Sequence, residues 1–431
     1  MSESQVTPAP LLGCVADDVT GATDLANNLV SAGMRVIQFL APPTADQIRD
    51  APADAIVVAL KTRSIEPRDA VNQSVRAIRV LRDAGCRRFF FKYCSTFDST
   101  PRGNIGPVSE AVMNELREPQ TIYCPAFPRA GRTVYRGHLF VGDRLLSESG
   151  MQDHPINPMH DADLTRVLAA QVTQPVGLAG YEDLTDAASI NRSLRKHRDE
   201  QVAHVVIDAC DDSHLRNIAD AVSSMRFVTG GSGIASFLPQ AYRRLGLLEP
   251  CAVDPPLPHR RGRSLILSGS CSSATNRQVA AAMKTMDAWA IDVAKIVDDF
   301  DGELSRIADW IEQSDPKKPL IVYSTSDPDT VARLQEKMGV DEAANTVERF
   351  FGRLACTSIS RFDIGTLIVA GGETSGSVVQ AIGVNAIRIG PEICAGVPWT
   401  ESLEEPSIAL ALKSGNFGDD NFFTKALEML S

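Results

Sequence analysis

Residues 11–29 read LLGCVADDVTGATDLANNL. Leu11 to Ala16 is an unbroken apolar run of strand length, and it stops at two adjacent carboxylates, Asp17 and Asp18, followed by Val19-Thr20-Gly21. Ala22, Leu25, Ala26 and Leu29 then recur at i, i+3, i+4 and i+7, the stripe that a helix turns toward a core. The two acids therefore stand where a strand hands over to a helix. In open α/β sheets that carboxyl edge is where ligands bind. Neighbouring carboxylates repel, and burying them is costly without a partner such as a metal, an arginine or a substrate hydroxyl. The alternative reading of Asp18 or Thr20 is a plain helix cap.

The same alternation continues outward from this unit. Arg35–Leu40 and Ala55–Leu60 read as strands, Pro67–Ala84 as a helix with proline in its first turn, Arg87–Lys92 as a strand, Val108–Leu116 as a helix and Thr121–Cys124 as a strand. Thr133–Tyr135 and Leu139–Val141 flank Arg136-Gly137-His138 as a β-hairpin would. Val202–Asp208 and Arg226–Thr229 are further strands, and the second empties into Gly230-Gly231-Ser232-Gly233. That turn either binds an anion or lets a strand and a helix pack closely. Residues 249–262, EPCAVDPPLPHRRG, are rich in proline and have no periodicity, as a linker should. The expected fold class is α/β, with two doubly wound domains of mostly parallel sheets and the active site in the cleft between them. The boundaries are 1–250 for the first domain, 251–262 for the linker and 263–431 for the second domain.

In the second half, Leu265–Leu267, Ala288–Val293, Leu320–Tyr323, Thr366–Ala370 and Ile408–Leu412 read as strands. Three strand-to-helix turns, 268–273, 371–376 and 413–418, are rich in Gly, Ser and Thr. Phosphate binding needs free backbone N–H groups and glycines that allow close approach, and all three turns can supply these. None matches G-x-x-x-x-G-K-[ST] or G-x-G-x-x-G. Glu373 is unusual in a bare phosphate loop. It has three open roles: binding Mg2+, accepting from ribose hydroxyls, or complementing a helix dipole.

The composition excludes several classes. The chain of 431 residues carries a formal net charge of −11, which argues against a nucleic-acid partner. An anionic ligand then needs a local basic pocket. Residues 86–144 provide one, with nine basic against five acidic side chains. The nine cysteines are scattered without a C-x-x-C and read as reduced thiols in the cytoplasm. Residues 1–10 read as a disordered tail, without the basic and apolar regions of a signal peptide. No apolar stretch reaches the ~18 residues that would span a membrane.

ADDVTGATD (16–24), DSTPRGN (98–104), PAFPRAGR (125–132), VTGGSG (228–233), SGSCSSAT (268–275) and GGETSG (371–376) together resemble the four-carbon acid sugar kinase family along nearly the whole chain. That resemblance implies an N-terminal domain for the sugar acid and a C-terminal domain for ATP. Many members read Lys-x-Asp-Ser-Thr-Leu-Arg-Gly. Here Thr96-Phe97 precede Asp98, Pro101 replaces the Leu, and the lysine stands earlier as Lys92. The KYCSTFDST form, with KTRS (61–64) and HPINPM (154–159), is similar to the 3-oxo-tetronate kinase branch.

The implied reaction is ATP-dependent phosphorylation, with Mg2+ as the ATP complex, at C4 of a four-carbon 3-oxo acid. The alternatives are a kinase for threonate or erythronate, an NAD-dependent dehydrogenase and a non-catalytic sugar-acid sensor. Asp18 is expected to orient or deprotonate the nucleophile and Asp17 to hold a substrate hydroxyl, or the reverse. Arg63, Ser64, Lys92 and Arg102 are candidates for the carboxylate clamp, joined at the substrate by Asp98, Ser99 and His154. Ser270, Gly371, Gly372, Glu373, Thr374 and Gly415 are the nucleotide-binding candidates. Metal ligands are not assigned. The expected partner is a small sugar acid, without nucleic acid or membrane, and a homodimer is an allowed assembly.

Overall fold

Eight parallel strands stand side by side in the first half of the chain because their residues are apolar on both faces, as a sheet covered by helices on both sides requires. The strands are β1 (Leu12–Ala16), β2 (Val36–Phe39), β3 (Ala55–Ala59), β4 (Arg88–Lys92), β5 (Thr121–Cys124), β9 (Val176–Ala179), β10 (His204–Ile207) and β11 (Phe227–Gly230). Their order is β2-β3-β1-β4-β11-β5-β10-β9. The computed structural model describes residues 9–49, 52–154, 157–249, 255–270, 272–324 and 340–430, without the side chains of 340–344. Most of the expected N-terminal tail, the start of the expected linker and Cys271 lie outside the described residues.

The order reverses at β1, which has β3 on one side and β4 on the other. Ala16 is level with Ala59 of β3 and with Lys92 of β4, so the chain leaves all three strands at one edge. A switch point of this kind opens a crevice at the strands' carboxyl ends. β6 (Arg132–Tyr135), β7 (His138–Val141) and β8 (Arg144–Leu145) form a separate antiparallel sheet. The β6–β7 turn places Arg136 and Gly137 at φ of 50° and 77°, a two-residue hairpin geometry. Buried Asp208 accepts from both turn N–H groups, at 2.6 and 2.8 Å.

The chain divides into two compact units at Asp254/Pro255, within the stretch read as a linker. The strands of the second unit are β12 (Arg263–Ser268), β13 (Asp287–Ala290), β14 (Leu320–Tyr323), β15 (Ile364–Ala370), β16 (Ala386–Cys394), β17 (Val397–Ser402) and β18 (Ala409–Lys413). They run in the order β13-β14-β12-β15-β18-β17-β16. The first five are parallel, and β17 is antiparallel to both neighbours. The β16–β17 ribbon is not in the sequence reading. The stretch read as a strand over 288–293 ends earlier, because Asp292 caps the helix Val293–Asp298 through a 3.0 Å bond from Ala294 N–H. The core of this unit gathers Ile266, Ile321, Ile368, Ala411, Phe422 and Trp399. The Trp399 indole donates to the Ala426 carbonyl at 3.0 Å, which seats the last helix, Phe422–Met429. Among the described residues no helix is long and apolar enough to cross a membrane.

Candidate active site

Asp18 caps the helix Val19–Ser31, accepting from Gly21 N–H at 3.1 Å, so the capping reading is correct as far as it goes. The same Oδ1 also takes Arg63 Nη2 at 2.6 Å. Arg63 gives Asp17 two further bonds, from Nε at 3.0 Å and Nη2 at 2.8 Å, and its Nη1 stands 3.8 Å from Asp98 Oδ2. One guanidinium thus serves three carboxylates. Burial pushes the Asp17 carboxyl upward against the opposing pull of Arg63, and Asp17 and Asp18 hold Arg63 firmly protonated against its own burial. The side chain of Asp17 is 5% exposed and that of Asp18 30%, so Asp18 is the more accessible of the pair.

The β4 exit completes the cluster. Lys92 is buried, donates to the Tyr93 carbonyl at 2.7 Å, and lies so close that a Cβ on Gly21 would sit 3.1 Å from its Nζ. Phe97, buried at a left-handed φ of 50° and edge-on to Tyr93, turns the chain so that Thr96 donates to Asp98 Oδ1 at 2.5 Å. Asn157 donates to Ser64 Oγ at 3.0 Å, and its own N–H goes to His154 Nδ1 at 3.0 Å. Gln171 donates to Ser99 Oγ at 2.9 Å. Arg102 is exposed and makes no side-chain bond among the described residues. Asn104, missed in the sequence, donates to the carbonyls of Thr62 and Ile65 at 2.7 and 2.8 Å and pins the loop that carries Arg63.

The VTGGSG turn is a packing device. A Cβ on Gly230, Gly231 or Gly233 would stand 2.6, 2.8 or 2.2 Å from the carbonyl oxygens of Cys124, Pro125 and Ala126. Ser232 is held by Asp24.

In the second unit the three Gly/Ser turns leave β12, β15 and β18, which are adjacent strands, and they meet at one edge. Gly269 and Ser270 donate to the Ala370 carbonyl at 3.0 and 3.2 Å, and Gly371 donates to Lys413 O at 2.9 Å. Ser272 and Thr275 both donate to Gly415 O, at 2.7 and 2.8 Å. A Cβ on Gly415 would lie 2.3 Å from Ser270 Oγ. Gly371 has φ of 130°, where only glycine is comfortable, and it turns the chain into the helix Gly372–Ala381. Gly372 and Glu373 are exposed in the first turn of that helix, while Thr374 is buried against the Gly269 turn. The edge therefore offers free N–H groups at a helix start beside a second turn, an arrangement suited to phosphate oxygens.

Residues 12–238 match the family model described as a sugar-binding N-terminal domain, and residues 265–423 match the one described as a nucleotide-binding C-terminal domain. The chain is 47% identical to a 3-oxo-tetronate kinase of Burkholderia multivorans, over 98% of this chain and 97% of that protein. It is 46% identical to a 3-oxo-tetronate kinase of Cupriavidus necator, over 100% and 99%. The chain belongs to the four-carbon acid sugar kinase family. A crystal structure of a Haemophilus influenzae protein, 40% identical, matches it with a TM-score of 0.89 over 97% of this chain and all of that one. In four-carbon acid sugar kinase terms, the Asp17–Arg63–Asp18 cluster lies in the segment matched as sugar-binding, and all three Gly/Ser turns lie in the segment matched as nucleotide-binding.

Proposed function

We propose that this chain catalyses ATP-dependent phosphorylation of the C4 hydroxyl of 3-oxo-tetronate, giving 3-oxo-tetronate 4-phosphate and ADP. The observation that carries this reading is identity of 40–47% over nearly the full chain to relatives that bear the name 3-oxo-tetronate kinase.

In our reading Asp18 orients or deprotonates the C4 hydroxyl, because it is the more accessible member of the pair. Asp17 fixes Arg63. Lys92 and Arg63 face the substrate carboxylate, while Asp98, Ser99, Ser64, Arg102 and His154 line the rest of the sugar-acid pocket. Gly372, Thr374 and Gly415 present N–H groups and Ser270 its hydroxyl to the phosphates, while Gly371, its own N–H bound to Lys413 O, shapes the turn. Glu373, the carboxylate in the first turn of helix Gly372–Ala381, would hold the Mg2+ of the ATP complex, which would supply charge to offset the phosphates. The nucleophile attacks the γ-phosphorus in line, ADP leaves, and the hydroxyl proton passes to Asp18. We assign the reaction to the cytoplasm, where ATP is available and thiols stay reduced, and we read the assembly as a homodimer, which light scattering checks.

The test is initial-rate kinetics with 3-oxo-tetronate, threonate and erythronate, with the phosphorylated position read by phosphorus NMR. The reading expects 3-oxo-tetronate to give the largest kcat/KM and the phosphate to sit on C4. A larger kcat/KM on threonate or erythronate overturns the substrate assignment. Thermal stabilisation by NAD and not by ATP would overturn the kinase reading itself.

A further inference from the structure

Lys413 ends β18 and turns inward. It is 1% exposed, and its Nζ donates to Thr275 Oγ1 at 3.1 Å and to the Ser414 and Gly415 carbonyls, each at 3.2 Å. Its ammonium also sits over the Phe422 ring, 5.7 Å from the centroid. Among the described residues no carboxylate lies within ion-pair distance of it. A buried cation balanced only by neutral oxygens is costly, and such a group lowers its cost by shedding its proton.

We infer that Lys413 is the electrostatic anchor of the nucleotide turns: it takes up a full positive charge when phosphate oxygens arrive at the turns it braces. The inference rests on the nucleotide-binding reading and adds to it a residue and a proton. Two of the three oxygens bound by Nζ belong to the 413–418 turn and the third to Thr275, in the helix that follows the 268–273 turn; Ser272 and Thr275 also meet at Gly415 O, so the charge braces both turns. Lys413 is a positioning residue here, acting through that turn and through its field.

Burial lowers the Lys413 ammonium from its ordinary value to about 8. The facing groups are few. Helix Ser273–Ala282 contributes the Thr275 hydroxyl, and its Arg277 is turned to Asp420 at 2.8 Å. Helix Phe422–Met429 contributes the Phe422 ring and carries Lys425. β16 contributes the Cys394 thiol, which burial first, and Glu392 after it, push above its ordinary value against Lys425 and Lys413, and which opposes the lowering of Lys413. A ligand dianion would therefore hold on Lys413 the proton that the free protein has partly lost. In the proton balance, the neutral amine takes one proton from buffer for each nucleotide bound.

The experiment is titration calorimetry of the full chain with ADP from pH 7 to pH 9, in pairs of buffers with different ionisation heats. Over this range the ADP phosphates are already ionised. The expected result is proton uptake of about one half per ADP at pH 8, approaching one at pH 9, with affinity falling about tenfold from pH 7 to pH 9. Lys413→Met should weaken ADP at least tenfold at pH 7, abolish the uptake and flatten the profile, while adenosine binding holds. Lys413→Arg should restore much of the affinity with a flat profile, and Cys394→Ala should leave the wild-type profile in place. If wild type binds ADP with no proton uptake, or Lys413→Met binds it as tightly as wild type, Lys413 has no such role and the nucleotide reading stands. If wild type does not bind ADP at all, the nucleotide reading fails with it. Should Lys413→Met not fold, the wild-type proton uptake alone decides.

Discussion

The side-chain amide of Asn104 donates to the carbonyl of Thr62 at 2.7 Å, across 42 residues of sequence. It reaches Ile65 O at 2.8 Å and Arg63 O at 3.3 Å as well, so one donor group fastens the 62–65 loop to the start of helix Ile105–Leu116. Arg63 can serve three acids only while that loop keeps its place.

Asn104→Leu should therefore act on the sugar acid and spare the nucleotide. Leaving buried carbonyls without a donor costs roughly 1–3 kcal/mol. The expectation is a KM for the sugar acid raised about tenfold in a folded protein with a lowered melting temperature, and a KM for ATP within about twofold of wild type. Equal rises in both KM values would reduce Asn104 to a general stabilising residue.

Gly371 and Gly372 are adjacent and should differ in what a methyl group does to stability. At Gly371 the φ of 130° disfavours any side chain, and a Cβ would meet Thr374 Oγ1 at 2.8 Å. Gly371→Ala should lose stability by about 1–3 kcal/mol and weaken ATP, because the turn itself moves. Gly372 has helical backbone and open space around it, so Gly372→Ala should keep the melting temperature of wild type. Its readout is ATP: a raised KM for ATP with an unchanged KM for the sugar acid marks Gly372 as a surface that phosphate approaches. An unchanged KM for ATP removes it from the site.

His204 is fully buried on β10, with Nδ1 2.9 Å from the Tyr123 hydroxyl and Nε2 3.5 Å from Glu110. Burial lowers its pKa below the ordinary 6.5, with Glu110 opposing. A histidine whose folded pKa is depressed binds fewer protons folded than unfolded between the two values, so its contribution to stability is lost as pH falls below 6.5. Melting temperature should fall from pH 7 to pH 5.5, and His204→Gln should lose part of that slope while starting from a lower value at pH 7. An identical slope in the variant would place the acid sensitivity elsewhere.

The β1 reading was available in sequence because an apolar run fully buried on both faces must end where the chain meets water, and Asp17-Asp18 marks that end. The same signal, a polar residue closing an apolar strand, also marks Lys92 and Lys413, although only the first was read as functional. Arg63 reads in sequence as a candidate for the substrate-carboxylate clamp, while its pairing with Asp17 spans 46 residues and leaves no periodic trace. Asn104 was invisible for the same reason, since its partners are carbonyls, which every residue has. The β16–β17 ribbon was missed because Gly390-Pro391 interrupts β16, where the register with β17 shifts, and β9 is a four-residue, half-exposed edge strand with little pattern to read.

Asp18 separates chemistry from structure most sharply. Its Oδ1 holds both the helix cap and Arg63, and asparagine keeps an oxygen that can accept both bonds. Asp18→Asn should therefore retain the fold and the melting temperature within a few degrees. What it removes is the negative charge that an approaching hydroxyl proton needs. If Asp18 orients or deprotonates the C4 hydroxyl, kcat should fall by ~10²-fold or more, the size of a general-base contribution. The KM for ATP should hardly move, because the nucleotide turns belong to the other unit. Asp17→Asn gives a different pattern, since both Asp17 oxygens are bound by Arg63 and the side chain is buried. Loss of that buried pair should lower stability by about 3–5 kcal/mol and affect kcat only through the displaced guanidinium. A folded Asp18→Asn protein with near-native kcat would end the catalytic assignment, and Asp98, 10% exposed on the same guanidinium, would be the next carboxylate to test.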